Sequence, residues 1–180
     1  MRGVPDVAWV SLMAHTTTRI RAQVHAPPRY LSDVTSALVL AGLRPTSGAG
    51  VALLVADHDD PSRTDQWLVD SLPHLVVRLG AASVRVGPFV HPGVTACLRC
   101  VEGAGGRGEP PLAAYAALDP ALLVLGLGWA ARDLATWQSG QPPTTWSTTV
   151  TIRADLQPEV TRWPRHPHCG CSWGLVDWLA

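Results

Sequence analysis

The sequence has 180 residues, 47% of them hydrophobic, which suits a single globular domain with a sizeable core. Its 14 basic and 14 acidic residues balance, so the net charge does not favour nucleic acid or an anionic membrane as a partner. The chain contains no lysine, which excludes a P-loop lysine, a Schiff base and a lysine general base.

The amino-terminal half alternates predicted strands with predicted helices. One helix is predicted over residues 33–41, with Ser32 as its cap and Gly42 at its end, and a second over residues 65–72. The apolar run at 51–56 is typical of a buried parallel strand. The predicted strands span residues 7–13, 19–25, 51–56, 75–79 and 83–86. This order predicts an α/β fold with a mostly parallel, doubly wound sheet and flanking helices.

The carboxy-terminal half is predicted to contain one long helix and one strand. The helix begins at Asp119-Pro120, with proline in the first turn, and runs to about Trp137. A strand rich in threonine and valine is predicted over residues 144–152, and a flexible glycine-rich loop over 103–111. The sequence shows neither an internal repeat nor a linker, so residues 1–180 are expected to form one domain.

The chain shows no predicted signal peptide or membrane span. The apolar stretch over residues 7–14 lacks a basic flank followed by a small-residue cleavage site. The longest apolar run, at 121–131, is too short to cross a bilayer. We therefore expect a cytoplasmic protein without a membrane partner, in which the thiols stay reduced and metal binding is favoured over disulfides.

Four cysteines carry the strongest chemical signal in the sequence. They form two close pairs far apart in the chain, Cys97 with Cys100 and Cys169 with Cys171. Zn²⁺ prefers thiolates, and each pair offers two of them from one short turn, so the pattern predicts a structural four-cysteine zinc site. The alternatives are four unrelated thiols, a redox dithiol at the first pair and an iron–sulfur cluster.

Three histidines flank the cysteine pairs: His91, His166 and His168. Any one of them could replace a cysteine as a ligand. Histidines beside a metal site more often orient the ligands or face solvent, so they are left out of the predicted metal set.

The residues around the cysteines resemble a known superfamily. Residues 75–80 and 86–100, together with 166–171, are similar to the E1-like (ThiF/MoeB-type) proteins. The resemblance is strongest to the ThiF-like, leader-binding cyclodehydratase "C" proteins of azole-forming (TOMM) ribosomal-peptide clusters. There, a GP.V.PG.T.CLRC motif is followed at a distance by HP.CGC. The resemblance implies a Rossmann-like sheet, with structural zinc joining the segment after the sheet to the carboxy-terminal tail through all four cysteines.

The nucleotide end of this superfamily is not matched. Active members approach ATP phosphates with a glycine-rich turn, and the matching residues 24–30 contain two prolines and no glycine. The acidic residues that end the third predicted strand provide only weak candidates for cofactor binding, namely Asp57, Asp60 and Arg63. A solvated loop is the simpler interpretation of this stretch. ATP and Mg²⁺ are therefore not expected as cofactors, and no catalytic residue is assigned.

The resemblance implies a role in ribosomally synthesised peptide (RiPP) biosynthesis. The expected function is that of a shortened, non-catalytic, zinc-stabilised scaffold without an N-terminal peptide-recognition module. Its expected partners are a precursor (leader) peptide and a modifying enzyme such as a YcaO-type cyclodehydratase. An alternative is an ATP-dependent adenylyltransferase that activates a peptide or carrier-protein carboxylate through Arg29, Asp57, Asp60 and Arg63. A third hypothesis is a homodimer formed through the apolar segment 121–137.

Overall fold

The computed structural model describes residues 20–57, 61–106 and 118–172, which form a seven-stranded sheet flanked by helices. The strands are β1 (Ile20–His25), β2 (Leu43–Pro45), β3 (Ala52–Ala56), β4 (His74–Leu79), β5 (Ser83–Val90), β6 (Thr148–Arg153) and β7 (Pro158–Arg162). The helices are α1 (Pro28–Leu40), α2 (Pro61–Val69), α3 (Leu98–Gly103) and α4 (Pro120–Gln138), and a 3-10 turn follows at Gly170–Ser172. The strand predicted over residues 7–13 lies outside the described residues.

The sheet has the order β2-β1-β3-β4-β5-β6-β7 and consists of two different halves. The pairs β2/β1, β1/β3 and β3/β4 are parallel, as predicted. The pairs β4/β5, β5/β6 and β6/β7 are antiparallel, so the prediction of a mostly parallel sheet is wrong for the second half. Only residues 80–82 join β4 to β5, and a parallel connection needs a much longer crossover.

The order of the parallel strands reverses between β1 and β3. From β1 the chain moves through α1 to β2 on one side, and from β3 it moves through α2 to β4 on the other. Right-handed crossovers in opposite directions place their helices on opposite faces of the sheet. The carboxyl ends of β1 and β3 therefore form the topological switch point, where sheets of this class bind ligands.

Hydrophobic side chains fill both faces of β3, which explains its continuous apolar sequence. Leu53 and Val55 belong to the main core under α1 and α4, whereas Leu54 belongs to a smaller core with Trp67 of α2. All five residues of β3 are buried. The large core shows that α4 covers the same face as α1. In the described part of the chain, no helix has both the length and the apolar character needed to cross a membrane.

Two predicted helix boundaries are wrong by several residues. Helix α1 begins at Pro28 and not at residue 33, and α2 begins at Pro61 and not at residue 65. Proline is well suited to the first helical position, because its φ is already helical and the missing N–H would have no helical partner there. Ser32 therefore lies inside α1 and does not cap it, whereas Gly42 follows the helix with a φ of 80°, as predicted for its end.

Candidate metal centre

The structure brings all four cysteines together. The sulfurs of Cys97 and Cys100 lie 3.7 Å apart, Cys97 is 3.5 Å from Cys169, and Cys100 is 3.4 Å from Cys171. All four sulfurs lie within 4.8 Å of one another. Among the described residues, these four cysteines are the one group of three or more potential ligands close enough together to surround a single ion.

The spacing of the sulfurs fits a tetrahedral thiolate site. With Zn–S bonds of about 2.3 Å, neighbouring sulfurs in a tetrahedron lie about 3.8 Å apart, close to the observed separations. A disulfide needs about 2.05 Å between the sulfurs, so the four residues are free cysteines. A single ion at the centre of this arrangement is compatible with all four ligands, and such a site leaves no position open for a substrate.

Short local elements place the cysteines. Cys97 precedes α3 and Cys100 lies in its first turn, while Cys171 lies in the 3-10 turn after β7. The first pair therefore follows β5, and β6 and β7 come between the two pairs. The sequence predicted a metal site that joins the segment after the sheet to the carboxy-terminal tail. In the structure β6 and β7 continue the sheet after the first pair, so the cluster joins two segments of its antiparallel half.

Hydrogen bonds between backbone groups and neighbouring residues fix the segments that carry the two pairs. Ala96 donates its N–H to the hydroxyl of Ser147 just before β6, at 2.9 Å. Arg165 donates from its guanidinium to the carbonyl of Cys171, also at 2.9 Å. The turn is closed by the N–H of Cys169, which donates to the carbonyl of His166. The cluster is thus held by its surroundings and not by the sulfurs alone.

Burial and hydrogen bonding affect the thiols differently. Cys97 and Cys100 are buried, whereas Cys169 and Cys171 are half-buried. Burial raises the pKa of the Cys97 and Cys171 thiols, because it disfavours the thiolate. Burial acts the same way on Cys100, but backbone hydrogen bonds, led by the N–H of His166 at 3.3 Å, lower its pKa overall. A metal ion would therefore have to displace protons from several thiols as it binds.

The three flanking histidines do not belong to the sulfur cluster. The ring of His91 packs against Trp137, with ring centres 5.0 Å apart, and against Trp146. His166 and His168 are exposed, and His166 contributes its backbone N–H to Cys100. These contacts support a metal set made of the four cysteines.

The weak candidates for nucleotide binding are arranged differently from a phosphate site. Asp57 follows β3 at the switch point and forms an ion pair with Arg29 in the first turn of α1. This pair spans the crevice between the carboxyl ends of β1 and β3. Arg63 is exposed on the first turn of α2, and Asp60 lies outside the described residues.

The first turn of α1 offers few groups to an anion. Pro27 and Pro28 have no N–H, and the N–H of Tyr30 donates to the carbonyl of Pro27 at 2.9 Å. The guanidinium of Arg29 is also placed over the Tyr30 ring, 5.0 Å from its centre. The cradle of free backbone N–H groups that binds phosphates in other α/β proteins is therefore missing from this turn.

A second ion pair lies beside the sulfur cluster. Arg99, between the two cysteines of the first pair, donates to Asp65 of α2 at 2.6 Å. This contact joins α2 to α3 across the face of the sheet. Sequence reasoning missed it, because nothing in the sequence indicates that the charged residue inside the C-x-x-C turn faces an acid on a distant helix.

Comparisons with known proteins identify the fold. No protein-family model matches the sequence, and none of the curated proteins does. Among solved structures, the heterocyclase TruD superposes with a TM-score of 0.70 at 20% identity, over 86% of this chain and 27% of TruD. A heterocyclase in complex with substrate and cofactor gives 0.67 at 19% identity, over 85% of this chain and 25% of that one.

A third structural neighbour is MccB of E. coli. It superposes with a TM-score of 0.55 at 15% identity, over 71% of this chain and 40% of MccB. The chain thus spans about a quarter to two fifths of the lengths of these proteins. At this level of identity, the similarity shows that the fold is shared with the heterocyclases and MccB.

Proposed function

We propose that this protein is a non-catalytic, zinc-stabilised E1-like scaffold in RiPP biosynthesis. It would present a precursor peptide to a partner modifying enzyme, such as a YcaO-type cyclodehydratase, or support that enzyme. The observation that carries the proposal is the contrast between two ends of one sheet. Four thiols converge with metal-site spacing, while an ion pair and two prolines occupy the switch point.

We propose zinc as the ion of the thiol cluster, because Zn²⁺ prefers four thiolates in a tetrahedral arrangement. The ligands would be Cys97, Cys100, Cys169 and Cys171, and a closed four-thiolate site contributes to folding and not to chemistry. Bound there, zinc would cross-link the segment after β5 to the segment after β7. This would stabilise the antiparallel half of the sheet.

The scaffold role is supported by what the switch point contains. An ATP site needs free backbone donors at a helix start and an acid available to a metal ion. In this chain, prolines remove donors from the start of α1, and Arg29 engages the carboxylate of Asp57. These residues favour a protein that binds its partners through surfaces and consumes no nucleotide.

The proposed partners come from the shared fold. One neighbour is a heterocyclase solved with substrate and cofactor, and this chain matches a quarter of it. We propose that a separate modifying enzyme supplies the chemistry and that a peptide is the common substrate. We also propose a homodimer formed through α4, where Val124 is 68% exposed and Leu125 is 41% exposed.

The second candidate function is an ATP-dependent adenylyltransferase. It is favoured by one observation, since MccB has been solved with ATP. In such an enzyme we propose that an acid of the stretch after β3, Asp57 or Asp60, would hold the nucleotide's metal ion. ATP–pyrophosphate exchange in the presence of candidate peptides tests this function, and exchange above background would replace the scaffold proposal.

Reconstitution with a candidate precursor peptide and its modifying enzyme tests the scaffold role. Product formation by that enzyme should increase when this protein is added. The variant Asp57→Asn is a sharp discriminator, because the ion pair to Arg29 is partly exposed and contributes at most about 1 kcal/mol to stability. We expect Asp57→Asn to support the partner as well as the unmodified protein does. Loss of that support with the fold intact would favour the adenylyltransferase.

A further inference from the structure

Two neighbouring pockets lie on the face of the sheet that carries α2, and together they form a trough. The larger pocket has a volume of about 390 Å³, and Leu68 and Val69 of α2 and Pro92 after β5 form its apolar wall. The smaller pocket, of about 260 Å³, lies between α2 and α3 above β3 and β4. Pockets that hold whole small molecules have volumes of about 300–1,000 Å³, so each of these two can receive one large side chain.

The ion pair between Asp65 and Arg99 separates the two pockets. Both residues line both pockets, and their side chains meet at 2.6 Å. The Arg99 side chain is 60% exposed. A guanidinium has five N–H groups and a carboxylate has several lone pairs, so this contact leaves further donors and acceptors for a ligand that crosses it.

The smaller pocket has an apolar floor and a charged rim. Leu54 and Ala56 of β3 and Val76 of β4 form the floor, and all three are buried. At the rim, Arg78 and Glu102 join the ion pair, so two guanidinium groups face two carboxylates. Because these charges balance, the pocket favours an uncharged, apolar side chain over an ion.

The spacing of the pockets matches an extended chain. Thr64 lines the smaller pocket and Leu68 lines the larger one, one turn later on the same face of α2. Four residues of a helix correspond to about 6 Å. In an extended chain, side chains on one face recur every second residue, about 6.6 Å apart. A peptide with large apolar side chains at alternate positions therefore fits both pockets at once.

The larger pocket also offers apolar surface that is open to solvent. Val69 is 79% exposed on its wall, whereas the smaller pocket is closed below by the sheet. A side chain that covers Val69 removes apolar surface from water, which is favourable in proportion to the area covered.

We propose that the trough binds an extended peptide segment with two large apolar side chains at alternate positions, one in each pocket. Arg99 donates to a carbonyl of the peptide backbone between them, and Asp65 accepts from a peptide N–H. The inference rests on the proposed function in one respect, since it takes the precursor peptide as the source of this segment.

NMR titration of the full ¹⁵N-labelled chain with two synthetic peptides tests the proposal. The probe is Gly-Ser-Leu-Ser-Phe-Ser-Gly, with its apolar residues at alternate positions. The control is Gly-Ser-Ser-Leu-Phe-Ser-Gly, which has the same composition but adjacent apolar residues. We expect saturable shifts of amide resonances in α2 and α3 with the probe. The control should bind about tenfold more weakly, because only one of its apolar side chains can enter a pocket.

Two variants locate the binding surface. Ala56→Leu fills the smaller pocket from its floor, and Val69→Gln removes apolar surface from the exposed wall of the larger one. Each should raise the half-saturation concentration of the probe about tenfold. Val39→Gln is the matched control, because Val39 is 58% exposed on α1, on the opposite face of the sheet, and it should leave binding unchanged. Thermal unfolding by circular dichroism checks that each variant keeps its fold, and the exposed position of Val69 makes its substitution informative even if Ala56→Leu does not fold.

Three outcomes would overturn the proposal. The first is the absence of saturable shifts at millimolar probe, and the second is equal affinity for the two peptides. The third is binding that neither Ala56→Leu nor Val69→Gln weakens, which would place the peptide elsewhere. The titration contains no modifying enzyme, so it is separate from the test of the scaffold role. Probe binding in the trough without any gain in product formation on reconstitution would contradict that role alone.

Discussion

Replacing Cys169 with serine tests the metal centre with little direct damage to the core. Cys169 is half-buried, and its sulfur lies 3.5 Å from that of Cys97. Serine is a poor zinc ligand, so the variant keeps three thiols and loses the closed tetrahedral site. We expect about one zinc ion per chain in the unmodified protein and a much lower content in Cys169→Ser after dialysis against a chelator.

The stability effect follows from metal linkage. Zinc at about a thousand times its Kd stabilises the folded state by about 4 kcal/mol. For a chain of this size each kcal/mol changes the Tm by roughly 2–4 °C, so the expected loss is roughly 8–16 °C. Thermal unfolding by circular dichroism, with metal analysis of the same samples, measures both quantities.

The control is His166→Ala, which keeps the backbone N–H that donates to Cys100. Its zinc content should be unchanged, because the imidazole is not a ligand. Full zinc content and an unchanged Tm in Cys169→Ser would refute the four-cysteine site. Loss of zinc in His166→Ala would instead assign a ligand role to the histidine.

Three further changes test packing and electrostatics. Gly126→Ala should be less stable than Gly128→Ala by about 1–3 kcal/mol in urea unfolding, because a Cβ at Gly126 would lie 2.5 Å from Val84, whereas Gly128 faces open space. Both variants share the same change in helix propensity, so equal stabilities would contradict the packing of α4. Burial lowers the pKa of His74 to about 4, so the unfolded state binds the extra proton between about pH 6.5 and 4 and stability should fall by about 3 kcal/mol as the pH falls through that window. The pH dependence should be smaller in His74→Gln, and an unchanged slope would contradict the assignment. Asp133→Ala should destabilise the fold by about 3 kcal/mol in the same urea assay, because the buried carboxylate accepts hydrogen bonds from the backbone and hydroxyl groups of Thr144 and Thr145. A decrease in the free energy of unfolding below about 1 kcal/mol would contradict a stabilising role for this carboxylate.

The parallel half of the fold was predictable because its signals are local. The apolar run of β3 and the alternation of strands with helices are visible in sequence, and both correspond to observed elements. The two helix starts were predicted several residues too late, because α1 and α2 begin at Pro28 and Pro61, and the prediction did not allow for proline at the first helical position.

The antiparallel half was predictable only in part. The strands predicted over residues 83–86 and 144–152 correspond to β5 and β6, whereas their antiparallel pairing and strand β7 were not predicted. Strand β7 is almost entirely exposed, so it lacks the apolar pattern that marks a strand. Strand β2, on the parallel side of the sheet, was missed because it has only three residues. The pairing of such strands depends on partners distant in sequence.

The sequence predicted which residues form the candidate metal centre but not where the centre lies in the fold. Cysteine spacing indicated which four residues converge, because each pair can face one ion from a short turn. That Cys97 and Cys100 lie after β5, with two more strands before the second pair, depends on how the sheet continues. The ion pair between Arg29 and Asp57 joins residues that only the parallel crossover brings together.

Isothermal titration calorimetry of the zinc-loaded protein with Mg-ATP tests most directly whether a nucleotide site is absent from this fold. The prolines at the start of α1 and the ion pair between Arg29 and Asp57 predict no saturable heat up to millimolar nucleotide. Saturable binding of about one nucleotide per chain, weakened by Asp57→Asn, would contradict the scaffold and favour an adenylyltransferase.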